Sequence, residues 1–230
     1  MRLAMLILLA LLTLLGAAGF FLESRFLPAH TVYYSEQRFL PVIDAGHGGE
    51  DGGSSSRSGV WESRLNLEIA RKLDLLMRFL GLKTVMTREE DISLHDPGKA
   101  TLREKKVSDL KNRAAKINSV PNGALLSIHQ NFYPESRYSG AQVFYRGDTN
   151  APFAKTMQLA LRRVLNPDNK REAKSTGAVY ILNQCGIPAV LVECGFLSNA
   201  AEEARLRDEG YQRKVAMAVC EGFLQWAAGN

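Results

Sequence analysis

Cysteine is scarce in this chain: Cys185, Cys194 and Cys220 are the only three among 230 residues. An odd count with no C-x-x-C pair excludes a dense disulfide framework and argues against a thiolate zinc site. Cys194 and Cys220 sit in apolar runs and read as small buried hydrophobes, with a Cys185–Cys194 bridge as the lesser alternative. Charge of one sign is lacking too. The 29 basic and 24 acidic residues leave a net charge of +5, without the dense basic stripe and interleaved aromatics of a nucleic-acid binder. No nucleic-acid partner is expected, whereas an anionic polymer or a membrane surface is compatible with the excess. There is no internal repeat and no low-complexity tract. At 46% hydrophobic residues the chain can bury one good core and no second.

What the chain does have is an apolar start. After Met1-Arg2, the run Leu3 to Leu22 is broken only by Thr13. Twenty helical residues span about 30 Å, enough for the core of a bilayer. Two readings stand: a signal peptide with small residues for cleavage at Gly16-Ala17-Ala18-Gly19, or an uncleaved anchor running on through Phe20-Phe21-Leu22. Length favours the anchor, and either reading exports the remainder. The organisation expected is a signal anchor or signal peptide at 1–25, a linker at 26–38 and one folded domain at 39–230.

Phe39 to Ile43 reads as a buried strand that stops in a segment where five of the eight positions from Gly46 to Gly53 are glycine. A histidine among glycines, His47, should have its ring exposed rather than packed. Leu65, Ile69, Leu73, Leu76 and Leu80 recur at helical spacing over Glu62 to Leu80, with Gly81 as the stop. Leu82 to Thr87 follows as a strand, so this first unit is βαβ with parallel strands. Asp91 to Lys106 is expected to be an irregular excursion over the site or the start of a charged helix, and Val107 to Asn118 a helix. Ala124 to Ile128 is a strand ending in His129, and Ala141 to Tyr145 another. Asn150 to Val164 is a helix, and Ala178 to Leu182 a short apolar segment. The strand Ala189 to Val192 ends in Glu193, and a single helix is expected from Asn199 to Trp226. The class is α/β, with helices between largely parallel strands.

Position then singles out four residues. His47, His129 and Glu193 lie at or just past the carboxyl ends of strands, and Glu62 opens the helix after the first strand. Adjacent strands are about 4.8 Å apart, so groups at one rim of a sheet can converge, and that rim is where open α/β sheets place their chemistry. Two imidazoles and a carboxylate are a catalytic zinc set with a fourth position for water, which makes His47, Glu62 and His129 the candidate ligands. Glu193 is the candidate acid/base, because a carboxylate ending an apolar run is costly to bury without a use. Each has a plainer alternative: a solvated histidine, a Glu62 that complements the helix dipole, a Glu193 paired with Arg88 or Arg113. Jointly, the placement favours the site. His95 and His30 are not expected to be ligands.

The run Asp44-Ala45-Gly46-His47-Gly48-Gly49-Glu50-Asp51-Gly52-Gly53 resembles the D-x-G-H-G-G-x-D-x-G signature of the zinc-dependent N-acetylmuramoyl-L-alanine amidases. Glu62 opening a helix, Ser127-Ile128-His129-Gln130-Asn131 and Val192-Glu193-Cys194-Gly195-Phe196-Leu197-Ser198-Asn199 resemble that family's remaining motifs, in order, over residues 40–227. The resemblance implies one Zn2+ on His47, Glu62 and His129, with Glu193 as acid/base, on a three-layer domain with a mixed, largely parallel six-stranded sheet. The bond cut would join the lactyl group of N-acetylmuramic acid to L-alanine of the stem peptide. Asp44, Asp51, Asn131, Arg88 and Arg113 are then supporting or substrate-contacting groups. Two departures stand out: Gln130 and Phe132 replace small residues and would narrow the groove, and the Asp91 to Lys106 region is longer than usual. These features, the lone catalytic domain and the apolar start resemble the germination-specific spore-cortex amidases, which prepare muramic acid for conversion to muramic δ-lactam. Expected partners are peptidoglycan glycan strands and stem peptides, the membrane through the N-terminal segment, and an accessory protein, since wall-binding repeats are missing. The alternatives are a zinc carboxypeptidase or endopeptidase on the same peptides, and an inactive wall-binding protein.

Overall fold

Strand β1 (Leu40–Ala45) is apolar at nearly every position because both of its faces are covered. Parallel strands flank it: β2 (Val85–Met86) on one side and β3 (Gly123–Asn131) on the other. Next to β3 lies β6 (Ala189–Phe196), also parallel, then β4 (Gln142–Tyr145), antiparallel to β6, and finally β5 (Lys174–Ser175), parallel to β4. The six-stranded order is β2-β1-β3-β6-β4-β5. The sheet is mixed and largely parallel, as the resemblance implies. The structure, a computed structural model, describes residues 37–229.

Alternation along the strands divides the core. Ile43, Leu126 and Val190 are aligned across β1, β3 and β6 and face one layer of helices, α1 (Glu62–Phe79), α3 (Ala151–Leu165) and α6 (Glu209–Ala228). Val42, Leu125 and Ala189 face the other layer, α2 (Leu102–Asn118) and the short α4 (Tyr180–Gln184). Helix α1 buries Leu65, Ile69, Leu73 and Met77, one face of its 3.6-residue period. In the first layer Phe153 stacks on Trp226 at 4.0 Å between ring centroids, and Phe39 lies 4.5 Å from the same indole.

Several boundaries differ from the sequence expectation, each for a local reason. Helix α2 starts five residues before Val107, because Thr101 and Glu104 form a reciprocal capping box. The helix expected from Asn199 to Trp226 is two. Asp208 sits in an extended conformation (φ −77°, ψ 124°), ending α5 (Ala200–Arg207), and its carboxylate caps α6 by accepting from the Tyr211 N–H at 2.8 Å. The segment near Ala178 to Leu182 contributes to helix α4. Strands β3 and β6 run past His129 and Glu193 rather than stopping before them, and their register shifts between His129 and Asn131. All three cysteines are free.

The segment 1–25, most of the linker and His30 lie outside the described residues. Among those described, no helix is long and apolar enough to cross a membrane.

Gly222 is where α6 crosses α3. A Cβ there would lie 2.7 Å from Met157 Sδ and 3.0 Å from Met157 Cα; the thioether can rotate away, but the main chain of α3 cannot. Gly222→Ala is expected to destabilise the fold by about 1–3 kcal/mol, the usual cost of overpacking, as measured by denaturant unfolding; a neutral or stabilising effect would show that the two helices can separate freely.

Candidate active site

The end of β1 and the loop after it are shaped by neighbours. Gly46 pairs with β3 (Gly46 N–H to Ile128 carbonyl, 3.1 Å), and a Cβ on it would lie 2.2 Å from the His129 ring. The absent side chain makes room for His129 to cross towards α1. His47 adopts a left-handed conformation (φ 61°), and a Cβ on Gly53 would lie 2.6 Å from the His47 ring and 2.7 Å from Glu62 Oε2. The glycines therefore serve close packing, and the expected exposure of His47 is not seen: its side chain is 18% exposed.

Glu62, the first residue of α1, is buried and held from several directions. Its Oε2 accepts from the Ser54 N–H at 3.0 Å, and its Oε1 accepts from the Gln130 N–H at 3.2 Å and Asn66 Nδ2 at 3.4 Å. The same Oε1 lies 2.8 Å from His129 Nδ1 and 3.3 Å from His47 Nε2. Burial opposes its ionisation, but the hydrogen bonds from His129 and His47 hold the carboxyl well below the usual range. A dipole-complementing surface acid would not be enclosed in this way. The ligand atoms of His47, Glu62 and His129 all lie within 4.8 Å of one another. Tetrahedral ligand atoms at zinc–nitrogen and zinc–oxygen bond lengths stand roughly 3.3 Å apart, so these separations and this donor set fit such an ion.

Asp51 orients the first imidazole. Its Oδ2 is 2.9 Å from His47 Nδ1 and 3.2 Å from Lys106 Nζ, while its Oδ1 accepts from the Gly53 N–H at 3.2 Å. With Nδ1 occupied, Nε2 is the His47 atom directed at Glu62 and His129. Burial alone would lower the His47 pKa; its bonds to Asp51 and Glu62 raise it to about 9 instead.

Glu193 pairs in register with His129 across β3 and β6. Its Oε2 is closed off from solvent and has no hydrogen-bond partner among the described residues. Burial pushes its pKa up to about 7; the His129 ring opposes that shift and the Glu62 charge adds to it. It does not pair with Arg88 or Arg113, both of which are engaged elsewhere.

Arg113 donates from Nη1 to Asp44 Oδ1 (2.8 Å) and the Ala45 carbonyl (2.7 Å), from Nη2 to the His47 carbonyl, and from Nε to Asp109 Oδ2 (2.6 Å). Asp44 also accepts from Thr87 Oγ1 (2.7 Å) and Ser127 Oγ (2.8 Å). Burial works against its charge, yet the Arg113 guanidinium and these hydroxyls hold its pKa at about 2. Arg88 donates to the carbonyls of Ala45, Gly46 and Ser63, tying β1 to the start of α1. Burial and the nearby Arg113 charge lower the Arg88 pKa to about 10. Both arginines are only about 2% exposed, so they brace the main chain rather than meet a substrate.

Asn131 stands half-exposed at the end of β3, where its carbonyl accepts from the Leu197 N–H at 2.8 Å. His95 bonds Ser93 Oγ at 2.8 Å and does not join the ligand cluster. Gln130 corrects an expectation: it is buried and donates to Asn66 Oδ1 at 3.2 Å instead of narrowing a groove, whereas Phe132 is exposed. Sequence reasoning missed Asn66, Asp109 and Thr87. Asn66 stands one turn after Glu62, and Asp109 one turn before Arg113, spacings that place each pair on one helix face.

Asp51→Asn is expected to weaken divalent-metal binding about 10–100-fold while leaving the fold intact, because it removes only the carboxylate behind His47. Competition against a chromogenic chelator, with circular dichroism alongside, reads both quantities.

Residues 42–225 match the family model described as N-acetylmuramoyl-L-alanine amidase. The chain is 36% identical over 186 residues to the germination-specific N-acetylmuramoyl-L-alanine amidase of Bacillus subtilis (strain 168), covering 80% of this chain and 78% of that one. It superposes on the CwlD amidase of Clostridioides difficile, solved in complex with the GerS lipoprotein, with a TM-score of 0.81 and 38% identity, over 84% of this chain and 100% of CwlD. The catalytic domain of CwlV, an N-acetylmuramoyl-L-alanine amidase from Bacillus (Paenibacillus) polymyxa var. colistinus, aligns with a TM-score of 0.70 and 28% identity, over 84% and 99% of the two chains. Motifs, fold and relatives agree: the chain belongs to the N-acetylmuramoyl-L-alanine amidase family.

Proposed function

We propose that this chain hydrolyses the amide between the lactyl group of N-acetylmuramic acid and L-alanine in peptidoglycan, with zinc held by His47, Glu62 and His129 and with Glu193 as acid/base. The observation that carries the reading is the three ligand atoms within 4.8 Å of one another, with a carboxylate of pKa about 7 on the next strand. Zinc, when bound, supplies Lewis acidity towards the scissile carbonyl and lowers the pKa of water towards neutrality. Ionised Glu193 accepts the proton of the attacking water as the new C–O bond forms, then delivers it to the alanine nitrogen as the C–N bond breaks. Asp51 keeps His47 in its orientation, and the partial exposure of Asn131, two residues past His129, supports a substrate-contacting role for it.

The similarity to a germination-specific amidase supports a role in spore-cortex modification leading to muramic δ-lactam. That work is extracytoplasmic, in keeping with an exported domain whose apolar segment at 1–25 anchors it or directs its export. CwlD is seen bound to the GerS lipoprotein, which supports an accessory protein as a partner here.

Mass spectrometry of purified peptidoglycan incubated with the zinc-loaded protein, beside a chelated control, tests the reaction. Intact stem peptides released from the glycan are expected. Trimmed peptides on intact muramic acid would show a peptidase, and no products would show a binding protein.

Glu193→Gln should retain zinc and lose about 10²–10⁴-fold in kcat. In the unsubstituted enzyme the base must be ionised, so kcat/KM falls as pH drops through the Glu193 pKa. The bound cation's charge lowers that pKa, which places the acid limb at or below pH 7. A profile flat across that range would remove Glu193 from the proton transfer.

A further inference from the structure

Helices α1 and α6 meet along an exposed apolar groove of about 540 Å³. Lys72, Leu75, Leu76 and Phe79 follow helical spacing on α1, and Arg213 and Met217 stand one turn apart on α6. Leu75, Phe79 and Met217 are 70%, 75% and 55% exposed, an unusual concentration of large apolar side chains for a soluble surface. The charged residues lining the groove, Lys72 and Arg213, are both basic; Arg213 also has Glu209 at 3.3 Å.

Its location says what covers it. Phe79 lies seventeen residues beyond Glu62 on one helix, about 25 Å from the ligand cluster. The chain enters the domain at the Phe79 end. Gln37 Nε2 donates to the Lys83 carbonyl at 2.8 Å, and its Oε1 accepts from the Lys83 N–H at 2.9 Å, four residues past Phe79. Residues 23–36, between the apolar run Leu3 to Leu22 and Gln37, reach at most about 50 Å. A lipid surface holding that run therefore has this end of α1 within its reach.

We propose that the α1–α6 groove is a membrane-apposed surface. Leu75, Phe79 and Met217 enter the interfacial layer of an anionic bilayer, and Lys72 and Arg213 meet its phosphate headgroups. The flank of α1 from Lys72 to Phe79 is then the part against the lipid, and Glu62 lies at the other end of the same helix. This assignment does not depend on which bond the enzyme cuts.

The full chain, reconstituted in phosphatidylcholine vesicles with or without phosphatidylglycerol, tests it. Phe79→Cys and Met217→Cys carry an environment-sensitive fluorophore. Val107→Cys, on α2 across the sheet, gives the reference, and the unsubstituted chain gives the background from half-buried Cys185. Blue-shifted emission and quenching by spin-labelled lipid are expected at 79 and 217, stronger with phosphatidylglycerol, and neither at 107. Quenching that is equal at all three positions, or absent, overturns the proposal. So does a blue shift without lipid quenching: dependence on protein concentration would then assign the groove to a second copy of the chain, and independence to the chain's own apolar segment.

Discussion

The site depends on a buried cation, Arg113, that ties the His47 loop to two other elements. The Arg113 guanidinium reaches Asp44 on β1, Asp109 on its own helix, and the carbonyls of Ala45 and His47 on either side of Gly46. The other Asp109 oxygen accepts from the Leu94 N–H at 2.6 Å and Ser93 Oγ at 3.1 Å, which brings the long excursion after β2 into the same cluster. Removing three charged groups from water is expensive, and a buried ion pair is weak support for stability. What the cluster supplies is position. A planar fork with five donors fixes several acceptors at once, which a lysine could not do. The loop carrying His47 is thus set by an arginine from another helix.

The two central glutamates are treated in opposite ways. Glu62 receives hydrogen bonds from Ser54, Gln130 and Asn66 and lies against both imidazoles, so the protein holds it as an anion. Glu193, on the next strand, is left with Oε2 unpaired and a pKa near neutrality. Two carboxylates whose environments push their pKa values apart are suited to different tasks, one as a fixed charge and one as a proton carrier. The sheet register makes this possible, because it sets Glu193 beside His129 without giving it a donor.

Much of this was legible in the chain. Helix α1 announced itself through the spacing of Leu65, Ile69 and Leu73, and the strands carrying His129 and Glu193 through apolar runs ending in a polar residue. Those signals are local, and burial follows them directly. What stayed hidden depends on distant partners. Asp208 looked like one more polar residue in a helical stretch, since its extended backbone and capping role show only in three dimensions. Gln130 read as a groove residue because nothing nearby in sequence reveals Asn66 beneath it. The pairing of Arg113 with Asp44 joins residues on separate elements, and Arg113 stood in the sequence among many basic residues on α2.

The glycine loop shows the same dependence on distant partners. Gly46 is required by a ring arriving from another strand, and a methyl group there would occupy the place of the imidazole. The end of β1 acts as a mould: the coordinate of one ligand is recorded in the side chain that another residue lacks. Drift at that position is barred by the shape of its neighbour, so the smallest possible change, a single added carbon, would leave every ligand present in the sequence and still displace one of them in space.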